Sequence, residues 1–81
     1  METTRYSGAV KLAVCGRLVA DWPRLADYLE IPASDRARFD RGREPEGIWE
    51  WLDARQRLSE LADALTHIGR GDLVEVLHRP R

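Results

Sequence analysis

Cys15, His67 and His78 are the side chains of this 81-residue chain with the strongest claim to nucleophilic or metal chemistry, and their surroundings support neither. A zinc site needs cysteines or histidines at short repeated spacings, with partners close in sequence. Here the two histidines fall in different predicted helices, with no cysteine or acidic cluster at ligand spacing. Cys15 lies inside a helical apolar pattern, which predicts a buried and inert thiol; being alone, it can form no internal disulfide and points to a reducing compartment. No serine, cysteine or lysine has a base beside it. Gly69 and Gly71 in IGRGDL lack the preceding strand and the following Gly-Lys-Ser/Thr of a phosphate loop, so they read as a helix stop and a helix start. Glu44 with Glu46, and Glu60 with Asp63, are spaced as solvated helix faces are. The expectation is no catalytic residue, no metal and no cofactor.

What remains is charge. The formal net charge is -1, too acidic for a chain whose main task is coating nucleic acid. Residues 36–43 hold four arginines against one aspartate, net +3, whereas residues 44–63 hold two arginines against six acids, net -4. One reading is a mixed solvated surface. The other is a plus end and a minus end that dock onto copies or relatives of the same domain, since complementary patches steer association. Twelve of the 13 basic residues are arginine, whose planar fork suits hydrogen-bonded ion pairs.

The elements that must position these charges are helices. Residues 1–8 read as a flexible polar lead-in, with Tyr6 a candidate to tuck against the body, and residues 9–79 as one domain. The first helix runs from near Ser7 or Gly8 to Ala20, apolar most of the way round, with Val10, Ala13, Val14 and Leu18 on one face and Leu12, Cys15 and Val19 on another. Such a helix is predicted to be central, with neighbours on more than one side. Asp21 is the expected N-cap of the second helix, with Pro23 in its first turn. Trp22, Leu25, Ala26 and Leu29 form its stripe, and it ends at Ile31-Pro32 because a residue before proline leaves the helical region. A short third helix spans residues 33–42 and is closed by Gly42, with Phe39 its one large apolar residue. Helix four starts at Glu44-Pro45; Ile48, Trp51 and Leu52 are its core residues, and Trp49 points away. Helix five runs from Arg57 or Leu58 to Ile68 with Leu58, Leu61, Ala62, Leu65 and Ile68 in one stripe, and helix six follows Gly71-Asp72 with Leu73, Val76 and Leu77 inward.

There is no period-2 run, no hairpin signal and no internal repeat, so the fold class is all-α. With 43% hydrophobic and 33% charged residues the composition is that of a soluble globular domain. No apolar run reaches the ~18 residues that span a bilayer, and the N-terminus lacks a signal-peptide core, so the expected location is the cytoplasm.

The order DWPRLADYLEIP, a short third helix, then IWEWLDARQRLSELADALTHIGRGDLVEVL resembles the death-fold superfamily, and most closely the death-like effector-associated domains of bacterial conflict systems. The residues that carry the resemblance are Asp21, Trp22, Leu25, Ala26 and Leu29, then Leu58, Leu61, Ala64, Leu65, Ile68, Gly69, Arg70, Asp72, Leu73, Val74 and Leu77, within residues 9–78. One departure is Arg57, which stands where many relatives place a Ser or Thr cap for helix five. The resemblance implies a six-helix antiparallel Greek-key bundle, non-enzymatic, that recruits or oligomerises effectors by homotypic contact with the same or related chains. Its members assemble head to tail into oligomers or filaments. On this reading three patches are expected to make contact. One is Arg36, Arg38, Arg41 and Arg43; a second is Glu46, Trp49, Glu50 and Asp53, with Trp49 either its anchor or packed against helix one or six at the edge of the core; the third is the Arg70–Asp72 corner. The alternative from another class is a small DNA-binding or regulatory domain with the Arg36–Arg43 segment on phosphate. Neither reading involves a membrane.

Overall fold

The computed structural model describes residues 6–78. Those residues form six helices and, among them, no strand: α1 (Gly8–Gly16), α2 (Trp22–Tyr28), α3 (Ala33–Arg36), α4 (Glu44–Ala54), α5 (Leu61–His67) and α6 (Gly71–His78), with a 3-10 turn over Leu58–Glu60 leading into α5. The predicted all-α six-helix bundle is therefore the observed one. Helix α1 packs on α4 and α6, α2 packs on α4 and α5, and α5 lies along α6. The N-terminal lead-in falls largely outside the described residues, as does the expected domain end at residue 79. Within the described part Ser7 is already structural: its hydroxyl accepts from the Val10 amide at 3.1 Å and caps α1.

The core contains no charged or polar side chain among the described residues, and no buried polar side-chain atom there lacks a partner. Val14, Leu25, Leu52, Leu61, Leu65 and Leu73 are its most enclosed members. In α5 the inward stripe is as expected, except that Ala64 takes the buried place assigned to Ala62, which is only half-buried.

Several boundaries are tighter than the apolar pattern predicts. Helix α1 stops at Gly16, not at Ala20; Leu18, Asp21 and Trp22 continue in short turn bonds, Leu18 N–H to the Cys15 carbonyl and Asp21 N–H to that of Leu18. Helix α3 is a single turn, and the chain from Ala37 to Arg43 is turns instead of helix. Helix α2 ends at Tyr28, three residues before Ile31.

The early end of α2 has a specific cause. Glu30 adopts the left-handed conformation at φ 57°, its N–H bonds the Asp27 carbonyl, and the Ile31 N–H bonds that of Ala26. This is a Schellman motif, and it recurs twice. Gln56 at φ 58° closes α4 with Arg57 N–H to Leu52 O at 2.8 Å, and Gly69 at φ 83° closes α5 with Arg70 N–H to Leu65 O at 2.8 Å. Only the third uses the residue that reaches this conformation freely. Gln56→Gly is therefore expected to raise the unfolding free energy by about 1 kcal/mol in denaturant titration, with Glu30→Gly similar. A loss of stability in both would show that the side chains contribute more than the backbone strain removes.

Candidate functional site

Arg36, grouped by the sequence with three other arginines, is not a free surface cation. Its Nε donates to the Ile31 carbonyl at 2.7 Å, one Nη to Asp27 at 2.7 Å and the other to the Ala26 carbonyl at 3.1 Å. It clamps α3 to the C-terminal end of α2, where the negative end of the helix dipole attracts a cation. Arg70 is spent in the same way. Nη1 donates to the Arg17 carbonyl at 3.0 Å and to the Asp21 carboxylate, while Nε and Nη2 each donate to Asp72 at 3.2 Å. The Asp21 carboxylate thus serves this brace and makes no N-cap bond to α2, contrary to the sequence expectation. The Arg70–Asp72 corner ties the start of α6 to the α1–α2 turn, and its guanidinium is not available as a docking patch.

Of the two tryptophans of α4, Trp49 takes the place at the edge of the core that was one of its two expected readings, and Trp51, expected in the core, is the less enclosed. Trp49 is only 6% exposed, with the Tyr6 ring edge-on at 5.6 Å. Trp51 is half-buried, its indole N–H donates to Asp35 at 2.8 Å, and the Arg55 guanidinium lies over its ring at 4.1 Å. They flank the Ile48–Leu52 stripe on opposite sides. The Trp49 flank is covered by α1 and Tyr6, whereas Trp51 meets Asp35 of the single turn α3 and the guanidinium groups of Arg55 and Arg57, the latter 5.2 Å from its ring centre. A buried ring cannot be a surface anchor, so Trp49 is not a contact residue, and Trp51 is the tryptophan of α4 that solvent partly reaches.

Trp51 stands at the edge of an open depression of about 410 Å³ between α4 and the chain from Asp35 to Arg43. Of the residues expected to make contact, the fold brings Arg38, Arg43, Glu46 and Glu50 to this one place, and leaves Arg41 and Asp53 exposed outside it. The supposed plus end and minus end are two walls of a single hollow. Asp35, Phe39, Asp40 and Arg55, none of them among the residues expected to make contact, help to line it. The Phe39 ring lies directly on Gly47: a Cβ there would come within 2.6 Å of it. Gly47 is therefore the residue that lets the α3–α4 connection approach α4, a close contact no periodicity could reveal. Glu50 pairs with Lys11 of α1 at 3.1 Å; Arg38, Arg43 and Glu46 make no ion pair among the described residues.

At Arg57, in place of a hydroxyl cap, the guanidinium pairs with Glu60 at 2.8 and 2.9 Å and the helix opens as a 3-10 turn. Glu60 is held below the usual carboxylate range by that pairing.

The thiol expected to be inert is placed accordingly. Cys15 is buried, and burial first, with the negative charge of Glu46 next, pushes it up to about 11 against the partial opposition of Lys11. Because the folded value lies above the unfolded one, its contribution to stability is complete below pH 9 and is lost as pH rises to about 11. Unfolding measured across that range should show the wild type losing about 2 kcal/mol that Cys15→Ala does not lose. Equal alkaline slopes in the two proteins would remove Cys15 as the cause.

No group of three or more His, Cys, Asp or Glu among the described residues could hold a metal ion. No helix there is long and apolar enough to cross a membrane. Six short helices about an apolar core, with the charged side chains of the described residues outside that core and an open hollow beside α4, make a small helical domain. A model of the family described as bacterial death-like domain 3 matches residues 8–80, and the chain belongs to that family. Death-like domains are in general non-catalytic modules that bind related domains. Neither a curated protein nor a solved structure matches the chain at a significant level.

Proposed function

We propose that this domain is a homotypic adaptor that recruits or oligomerises effectors in a bacterial immune or cell-death-like signalling system, and that the hollow between α4 and the α3–α4 connection is a contact surface. The observation that carries this reading is the pairing of unbridged cations, Arg38 and Arg43, with acids Glu46 and Glu50 around the aromatic pair Phe39 and Trp51. An aromatic centre with a charged rim is how protein contacts are commonly built, the centre supplying affinity and the rim orientation and rate. Family membership supports the class of partner: the same chain or a related death-like domain. The reading is one of partner choice and places the action in the cytoplasm, with no cofactor.

Arg38→Glu and Glu50→Arg, tested singly and together by light scattering and partner capture across concentration and salt, check it. Each reversal is expected to weaken association about tenfold, and added salt to weaken the wild-type contact. Association unchanged by either reversal, with the chain and its full-length relatives all monomeric, would sink the proposal. Duplex DNA is the poorer partner. Arg36 is internally committed, and Asp40, Glu46 and Glu50 share the hollow with Arg38 and Arg43, so no mobility shift with steep salt dependence is expected.

A further inference from the structure

Residues 32–44 are the longest stretch of the described chain without a buried residue. Asp35, Arg36, Phe39 and Glu44 are half-buried there, and the others are exposed. The backbone of this stretch bonds chiefly to itself. The N–H groups of residues 35–39 donate to the carbonyls of Pro32, Ala33, Asp35 and Arg36, that of Arg43 donates to Asp40, and none of these bonds leaves the stretch. Arg36 holds the near end to α2, and the far end runs into α4 through Gly42 at φ 86°. Between those ends, among the described residues, Asp35 and Phe39 make the ties to α4. The Trp51 indole N–H donates to Asp35 at 2.8 Å, the Arg55 guanidinium stands 3.5 Å from the same carboxylate, and the Phe39 ring lies on Gly47.

We infer that residues 37–43, latched through Asp35 on Trp51, form a strap that lifts off α4 as a unit while the rest of the bundle stays folded, so that the hollow opens and closes. The holding interactions are few and wet. An ion pair open to solvent contributes little, one side-chain hydrogen bond contributes modestly, and the apolar tie is a single half-buried ring. Against them stands the backbone freedom that a run of seven residues regains on release. A segment held in this way opens at a lower free energy than a helix with buried residues. The seat on α4 survives the opening. The Arg55 guanidinium lies 4.1 Å over the Trp51 ring and donates to the Trp51 carbonyl at 3.1 Å, contacts one helical turn long that do not involve the strap. Closing therefore meets a surface already formed. What leaves with the strap is the basic wall: Arg38 and Arg43 ride on it, whereas Glu46 and Glu50 stay with α4. The strap does not rest on the proposed function; only its role as a gate to partners does.

Hydrogen exchange followed by NMR tests it, with the Trp51 indole N–H reporting on the latch. In the wild type the bonded amides of Ala37, Arg38, Phe39 and Arg43 are expected to exchange together with that indole proton, about a hundredfold or more faster than the core amides of Leu52 and Leu65. Gly47→Ala is the sharpest variant. The added Cβ meets Phe39 Cγ at 2.7 Å and Cβ at 3.1 Å, the root of the side chain, so spinning the ring does not clear it and the strap has to lift. Alanine is also the better helix former, so α4 itself loses nothing. The strap amides and the Trp51 indole should then exchange about tenfold or more faster by a common factor, with the core amides no faster than before. Asp35→Ala, which cuts the other tie, should speed the amides of residues 37–39 and 43 by a common factor as well. Strap and core amides opening at one rate, or Phe39 and Trp51 responding independently to Gly47→Ala, would overturn the strap. Light scattering of the same chains tests the gate: with the strap mostly open in Gly47→Ala, self-association should weaken about tenfold, in proportion to the closed fraction lost. Association as strong as the wild type's with the strap open would overturn the gate. Association indifferent to Arg38→Glu, with strap amides still opening together, would sink the proposed contact and leave the strap standing.

Discussion

Trp49→Ala is expected to lower the unfolding free energy by about 3 to 4 kcal/mol, and Trp51→Ala by only about 1 kcal/mol, with the reverse ranking for partner association. Trp49 is 6% exposed within the α1–α4 contact, so its removal leaves a cavity lined by side chains that cannot all close in. Trp51 loses the hydrogen bond to Asp35 and the stacked Arg55, at a site already open to solvent. A domain of this length has a total stability on the order of 4 to 12 kcal/mol, so Trp49→Ala approaches unfolding. Trp49→Phe, which retains most of the ring, should fold and still associate. Denaturant titration with partner capture on the four proteins settles it. Equal stability losses for the two alanine variants, or full association by Trp51→Ala, would return both tryptophans to the same role.

Arg70→Ala should cost about 2 kcal/mol, the largest effect expected of any charged side chain here. The guanidinium joins three elements through Asp21, the Arg17 carbonyl and Asp72, and its loss leaves a half-buried carboxylate at Asp21 without its cation. Arg70→Lys should recover little of this, because a single ammonium cannot reproduce the fork. Acid acts on the same corner. Asp72 is held below its ordinary value by Arg70, so the stability it contributes is present above the unfolded carboxyl range and is lost as pH falls through the lowered folded value. The wild type should therefore lose more stability than Arg70→Ala between about pH 5 and pH 2. Parallel acid limbs would show that the pairing contributes nothing.

Helix content, the Gly69 stop, the acidic first turn of α4 and the inward residues of α6 were legible in the chain because each is a local matter of capping, dipole or period. The lengths of α1 and α2 were not. Their apolar residues run on past the ends, and what stops α2 is a left-handed Glu30, a conformation no rule of composition assigns to glutamate. The candidate site was half legible. Arg38, Arg43, Glu46 and Glu50 could be picked out as exposed charge, yet the sequence divided them between two ends, because it cannot say that the chain folds back over Gly47 and sets them on facing walls.

By itself, then, the amino-acid order determined an all-α fold class, and carried enough core and cap positions to resemble its family. Only the tertiary structure decided which side of each helix is covered. Trp49 and Trp51 sit at comparable angles from the same stripe, and the difference between core and surface is that α1 lies on one flank and a single turn on the other. Arg36 and Arg70 look like surface charge until α2 and the α1–α2 turn present carbonyl and carboxylate oxygens to them. Periodicity specifies the direction in which a side chain leaves its own helix; what it meets there is set by partners distant in sequence.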